Sequence, residues 1–314
     1  MTIYGADGSN GVILVTTKSG SNNKPLAISA RVNFGVATID KSTEFRMMSQ
    51  EQYLAVAKEA WTNAGNSLKT FPYQDNDYNS YSTTDTDWSK EYLGVGTNLY
   101  ADLSLTSGTK KTSNYVTGSY YKTDNTVKSD SQQRFSFRTR NSYDFTKWLR
   151  FNAQLSASYN TNNLFPLYRG FLETLPIFEP YLSDGSFRLY NKVYDEASGG
   201  WVMRKFTKNE VPAREANTNT QRSVMTSANF SVEAKIFDGL KFTSQYAIDY
   251  THSHEDIYYS RTTLSGMDSA GNPKGSSRRA DASYMNWTNV ERLNYDKRFA
   301  DRHNVSAYAG VQTG

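Results

Sequence analysis

From about residue 97 onward, apolar and polar side chains alternate along extended stretches of the chain. This period of two is typical of β-strands whose two faces meet different environments. Residues 149–160 illustrate the alternation, because every second side chain there is apolar. The apolar set is Leu149, Phe151, Ala153, Leu155, Ala157 and Tyr159. The pattern predicts strands over residues 26–35, 97–107, 112–123, 132–145, 148–161, 221–236, 240–257, 281–297 and 303–313, with a further strand at 11–18 ahead of them.

The length of these segments separates two kinds of β-protein. Strands of a soluble sandwich usually run about 5–6 residues, whereas strands that cross a membrane need about 9–11. The predicted connectors also alternate in length, with long ones at about 36–96, 124–131, 162–220 and 258–280 and tight turns between them. A membrane barrel with short turns on one side and long loops on the other has this arrangement. We therefore predict an all-β fold, a partial antiparallel transmembrane β-barrel of about nine strands.

One helix is predicted inside the first long connector, over residues 50–64. Ser49 and Gln52 have the spacing of a capping box, and Gly65 is placed to end the helix. Residues 66–87 are rich in Asn, Asp, Ser, Thr and Tyr, which predicts a loop or a weakly ordered insertion.

Composition narrows the function classes. The 35 basic and 31 acidic residues are interspersed, so the net charge of +4 builds no single-sign surface and nucleic acid is not an expected partner. Without cysteine there is no disulfide, thiolate metal site or cysteine nucleophile. No segment has the ~18 apolar residues of a membrane-spanning helix, and residues 1–20 do not resemble a signal peptide.

Candidate chemistry is sparse, and we predict no enzyme activity and no cofactor. His252 and His254 share a strand face and form a weak candidate metal pair, for which a surface cluster is the simpler explanation. Residues 75–86 match a calcium loop at three positions and fail at its glycine and its final glutamate. Glu173, Glu179 and Asp184 are scattered loop acids without a spacing that indicates glycoside hydrolysis.

Aromatic residues in the long loops are better candidates for binding. Their rings offer stacking faces for a sugar or contact area for a peptide above a polar lumen. We predict Trp88, Tyr168 and Trp201 as substrate-binding residues, with loop packing as the alternative for each.

The most informative segment is residues 3–18, where a glycine-punctuated turn leads into a β-branched strand. It resembles the end of the plug domain in the SusC/RagA family of TonB-dependent outer-membrane receptors. Weaker resemblances follow in family order, among them residues 85–88, 108–112 and 175–177. Asp7 departs from the pattern, since the family often carries a basic or small residue there. The positions that carry the plug resemblance are Tyr4, Gly5, Gly8, Asn10, Gly11, Val12, Thr16, Thr17 and Lys18.

The resemblance implies that residues 1–20 end a plug domain and that residues 21–314 form the first part of a barrel of roughly 22 strands in the outer membrane. It implies uptake of a glycan, or in some members a peptide, with a SusD-type surface lipoprotein. The TonB-ExbB-ExbD complex would act through an N-terminal segment that is missing from this chain, as is a signal peptide, and outer-membrane lipid would surround the barrel. An alternative is a non-transporting β-rich module for carbohydrate binding or adhesion.

Overall fold

Nine long strands form one antiparallel sheet in the computed structural model, which describes residues 20, 22–40, 47–165, 170–299 and 302–314. Each strand pairs with its sequence neighbours, except that a separate two-stranded hairpin lies between the fifth and sixth strands of the sheet. The sheet strands are β1 (Ala27–Ala37), β2 (Gly96–Gly108), β3 (Thr112–Asp124), β4 (Ser131–Asp144), β5 (Leu149–Asn163), β8 (Thr218–Phe237), β9 (Leu240–Tyr259), β10 (Ser276–Phe299) and β11 (His303–Thr313), and the hairpin is β6 (Tyr190–Asp195) with β7 (Gly200–Lys205). The predicted all-β architecture of about nine antiparallel strands is confirmed, and the predicted strand at 11–18 lies outside the described residues.

The register gives the sheet two chemically different faces. Directly opposed residues of antiparallel strands share a face, so one residue from each strand forms a row across the sheet. Neighbouring rows belong to opposite faces, and they differ sharply in polarity. One row is Ile28, Leu105, Val116, Thr139, Leu155, Ala228, Ile248 and Trp287, and the next is Ser29, Ser104, Thr117, Arg138, Ser156, Ser227, Asp249 and Asn286. We call these the apolar face and the polar face.

The connectors of the sheet alternate in length as predicted. Turns of a few residues join β2 to β3, β4 to β5 and β8 to β9, and Gly239 adopts a φ of 90° in the last of these. The connectors 38–95 and 164–217 are long and carry most of the helical structure. The helices are α1 (Gln50–Asn63), α2 (Trp88–Tyr92), α3 (Gly170–Glu173) and α4 (Val211–Ala216).

The predicted helix is confirmed as α1, and its capping box is present. The Ser49 hydroxyl accepts from the Gln52 amide, and the Ser49 amide donates to the Gln52 side chain at 3.1 Å. Gly65 has a φ of 84°, which favours glycine and explains the end of the helix there.

Residues 47–95 and 170–217 pack together into a small folded body, which we call the loop unit. Among the described residues, the fully buried hydrophobic side chains all lie in this unit and none lies in the nine-stranded sheet. They form two clusters, and Phe178 packs against both. The clusters are Leu54, Phe71, Tyr81 and Ile177, and Trp88, Tyr92, Phe206 and Val211.

The long connectors contain structure that the sequence did not reveal. Residues 66–87 form a loop, which is one of the two predicted outcomes, but the loop is packed, because Phe71 and Tyr81 are buried at 2% and 0% exposure. The connector after β5 contains the β6–β7 hairpin, which is too short to show a clear alternation.

Among the described residues, no helix is long and apolar enough to cross a membrane.

Candidate functional site

The two halves of the loop unit are joined by a pair of buried asparagines. The Asn79 Nδ2 donates to Asn191 Oδ1 at 3.1 Å, and Asn79 Oδ1 accepts from the Lys192 amide at 2.9 Å. The Tyr81 hydroxyl adds a third bond, to the Lys192 carbonyl at 2.8 Å. Because β6 is thereby bound to the segment that follows α1, the two connectors hold each other in one conformation.

Arg188 forms a second junction between the connectors. Its guanidinium donates to Glu179 Oε2 at 2.7 Å and to the Tyr78 carbonyl at 3.1 Å, and it lies 5.2 Å from the centre of the Tyr78 ring. The Arg188 side chain is 5% exposed, so its charge needs these partners. Glu179 also accepts from the Thr84 hydroxyl at 2.9 Å.

The predicted binding aromatics fall in three different settings. Trp88 is 1% exposed in the second hydrophobic cluster, and its indole N–H donates to the Leu175 carbonyl at 3.0 Å. This burial gives Trp88 a packing role and leaves no ring face for a ligand in this conformation. Trp201 lies on β7 with 37% of its surface exposed, against Tyr194. Tyr168 lies outside the described residues, as do all the plug positions from Tyr4 to Lys18.

His252 and His254 lie near the end of β9, in line with the apolar face. His252 Nδ1 is 2.9 Å from the Ser283 hydroxyl, and the two ring nitrogens of His254 are 2.6 Å from Asp281 and 2.9 Å from Asp256. Neither nitrogen of His254 is open to a metal in this arrangement. The described part of the chain contains no group of three or more His, Asp or Glu side chains able to hold a metal ion.

The loop acids that resemble glycosidase or calcium-binding residues have structural partners. Glu173 forms an ion pair with Lys208, and Asp184 accepts from the Ser186 hydroxyl at 2.6 Å. In the segment compared with a calcium loop, Asp75 caps Ser82 and Asp77 pairs with Lys192. These carboxylates therefore stabilise loops within the described structure.

The polar face carries the charges and hydroxyls that a solute could meet. Arg31 and Asp102 form an ion pair at 3.4 Å, and Arg134 lies 5.8 Å from the centre of the Tyr121 ring. Arg138 and Arg140 follow on the same face of β4. The face offers hydrogen-bond donors, acceptors and aromatic rings over a wide surface without a single dominant charge.

Glu210 is a distinctive residue that sequence analysis missed. It lines a cavity of about 410 Å³ between α4, the start of β8 and the end of β9. Burial raises the pKa of the Glu210 carboxyl to about 7, while nearby Lys208 acts against this shift and Glu173 adds to it. Its sequence neighbourhood resembles that of any loop acid, so only the packing distinguishes it.

The chain is similar to TonB-dependent receptors over nearly its whole length. No protein-family model matches it. TonB-dependent receptor P26 of Formosa agariphila is 24% identical over 315 residues, which cover 99% of this chain and 30% of that protein. TonB-dependent receptor SusC of Bacteroides thetaiotaomicron is 27% identical over 134 residues, covering 43% of this chain and 12% of SusC.

Solved structures of a peptide importer are similar to this chain in fold. The RagAB peptide importer in its closed-closed state matches with a TM-score of 0.77 at 19% identity, covering 98% of this chain and 36% of the matched chain. A second RagAB peptide transporter structure matches with a TM-score of 0.74. The chain spans about 30% of the length of the relatives that it matches from end to end.

Proposed function

Because the chain belongs to the SusC/RagA type of TonB-dependent receptor, we propose that it forms part of an importer in the outer membrane. In this proposal residues 21–314 supply barrel wall and external loops, and residues 1–20 end the plug. The imported solute is a glycan or a peptide. A SusD-type lipoprotein covers the loops, and the TonB-ExbB-ExbD complex supplies the energy.

The observation that carries this proposal is the division of the sheet into two faces. Ile28, Val32 and Phe137 on the apolar face are 65%, 70% and 49% exposed, which would be unfavourable for so large a surface in water. Lipid removes this cost for the apolar face, and a water-filled lumen suits the polar face.

Aromatic side chains at the short turns also support the placement of the sheet in a membrane. Phe145 and Trp148 lie in the turn between β4 and β5, while Phe237 and Phe299 are the last residues of β8 and β10, and between 42% and 59% of each is exposed. Aromatic girdles of this kind sit at the membrane–water interface of barrels. Because barrels of this kind have short periplasmic turns and longer external loops, the short turns would face the periplasm and the loop unit would face the exterior.

The substrate class follows from the relatives only in outline. RagAB is named a peptide importer, and the polar face and Trp201 could serve either a peptide backbone or a sugar ring. Peptides and glycans are therefore two candidate substrate classes, and each needs its own test.

Cell fractionation and growth test the proposal together. We expect the protein in the outer membrane, resistant to salt and extracted by detergent, and we expect deletion of its gene to impair growth on particular glycans or peptides supplied as sole nutrient. Wild-type protein should restore growth. A salt-soluble protein without any growth phenotype would overturn the importer and favour the binding or adhesion module.

A further inference from the structure

A cavity at the junction of the loop unit and the sheet has the character of a small-molecule pocket. Its volume of about 410 Å³ lies within the usual range for ligand sites, about 300–1,000 Å³. Most of its wall is apolar. The apolar part includes Leu164, Phe165, Pro212, Ala213, Ile257 and Leu264.

The polar groups that form the frame of this cavity already have partners. Asn209 Nδ2 donates to the Pro180 and Arg188 carbonyls, both at 2.9 Å. Asn217 donates to the Ser265 hydroxyl at 2.9 Å and accepts from the Ser260 amide at 2.8 Å. The Glu210 amide donates to the Tyr92 hydroxyl at 2.8 Å. The backbone around the cavity is thus held in place before any ligand arrives.

One oxygen atom in each of two wall residues lacks such a partner. Glu210 Oε2 and Asn219 Oδ1 are shielded from solvent, and neither accepts a hydrogen bond from any of the described residues. Unsatisfied buried acceptors are uncommon and costly, so each calls for an explanation. Both residues line the same cavity.

We propose that this cavity binds a ligand that carries a primary ammonium group on an apolar body. Because Glu210 Oε2 and Asn219 Oδ1 are shielded from the cavity as well as from bulk solvent, both side chains would turn toward the cavity for the ammonium to donate to them, and the apolar body would contact the surrounding aliphatic and aromatic wall. An ammonium has three donors and no acceptor, which matches two acceptors without donors. An anionic ligand would instead meet the Glu210 charge.

The charged groups around Glu210 are compatible with this choice. Lys208 precedes it and is paired with Glu173, while Arg214 on α4 lies 5.8 Å from the centre of the Tyr92 ring and pairs with Glu215. Tyr259 supplies the remaining titratable side chain of the wall, from β9. Lys208 and Arg214 thus each have an acid partner of their own.

This inference does not depend on transport and is tested by binding. The probe is 2-phenylethylamine, titrated by calorimetry into the detergent-solubilised protein at pH 8, with the neutral 2-phenylethanol as comparison. We expect saturable binding of the amine and at least about tenfold weaker binding of the alcohol, because a charge-assisted hydrogen bond is lost. Absence of saturable amine binding up to about 10 mM, well above the range of a specific site, would overturn the proposal.

Variants assign the binding to this cavity. Glu210→Gln should weaken 2-phenylethylamine at least about tenfold, whereas Glu196→Gln, in the exposed turn between β6 and β7, should leave the affinity unchanged. Wild-type affinity should rise as pH increases through about 7, where Glu210 ionises, and the Gln variant should lose this dependence. Equal binding by both variants would contradict the assignment. A circular dichroism spectrum confirms that each variant is folded.

The source of the amine is distinguished by a second pair of probes. The tripeptide Phe-Gly-Gly presents its amino terminus on an apolar residue, and its N-acetyl form does not. Binding of 2-phenylethylamine and of the free tripeptide, but not of the N-acetyl tripeptide, would identify peptide amino termini as ligands. Binding of 2-phenylethylamine but neither tripeptide would identify small free amines.

Discussion

Arg188 donates to Glu179 across 2.7 Å, and this ion pair joins the segment before β6 to the segment that follows α3. Only the arginine is deeply buried, since the side chains are 5% and 43% exposed. The pair therefore acts mainly by neutralising a charge that could not remain buried alone.

Removal of the acid should loosen the loop unit. We expect Glu179→Gln to destabilise it by about 2 kcal/mol, below the range for a fully buried pair because Glu179 is partly solvated. Native-state hydrogen exchange of the α1 and β6 amides measures this change. Glu196→Gln is the control. Unchanged exchange in the Glu179 variant would show that solvent already neutralises Arg188.

Trp88 and Trp201 should respond differently to truncation. Trp88→Ala removes a fully buried indole and should destabilise the loop unit by about 3 to 5 kcal/mol. Trp201→Ala should have a smaller effect on stability, because Trp201 is 37% exposed and belongs to neither buried cluster. A loss of substrate affinity in the Trp201 variant, with unchanged hydrogen exchange, would support its predicted stacking role. If the Trp88 variant were as stable as wild type, the packing role would be wrong.

Neighbouring residues of β4 test which face meets lipid. Phe137→Arg places a charge on the apolar face and should cost about 2–4 kcal/mol near the bilayer centre, whereas Ser136→Arg adds the same side chain to the polar face. We expect the first variant to fail in outer-membrane assembly and the second to assemble normally. Assembly is measured as the folded, heat-modifiable fraction in isolated outer membranes. The opposite ranking would reverse the assignment of the faces.

Glu210 should make the stability of the loop unit depend on pH. Its pKa is raised from 4.5 to about 7 by burial, so the folded state favours the protonated carboxyl. This contribution is complete below pH 4.5 and is lost as the pH rises through about 7. Glu210→Gln remains neutral and should be less sensitive than wild type between pH 5 and pH 8, as monitored by hydrogen exchange of α4. Equal pH dependence in both proteins would contradict the shift.

The sheet could be predicted from the sequence because alternation is a local property. Within each strand, alternate residues are apolar and polar because the two faces meet different environments. The predicted ends of β2, β3 and β9 lie within about two residues of the observed ones. The strand β10 begins earlier than predicted, at Ser276. Its first residues are polar on both faces, so alternation does not reveal them.

The loop unit could not be predicted in the same way. Phe71 and Tyr81 share a buried cluster with Ile177, about a hundred residues away, and they lie in segments without any hydrophobic period. For the same reason the sequence did not indicate that Trp88 is buried while Trp201 is exposed. The direction of a loop aromatic depends on tertiary contacts that no local pattern records.

The bonds of Asn79 to Asn191 and Lys192 have a practical consequence for engineering. Each long connector supplies half of a shared core, so neither half has a complete interior without the other. Grafting one connector into a related receptor would expose buried aromatics and leave the asparagine unpaired. A chimera with altered substrate preference should exchange both connectors at once, as a single cassette.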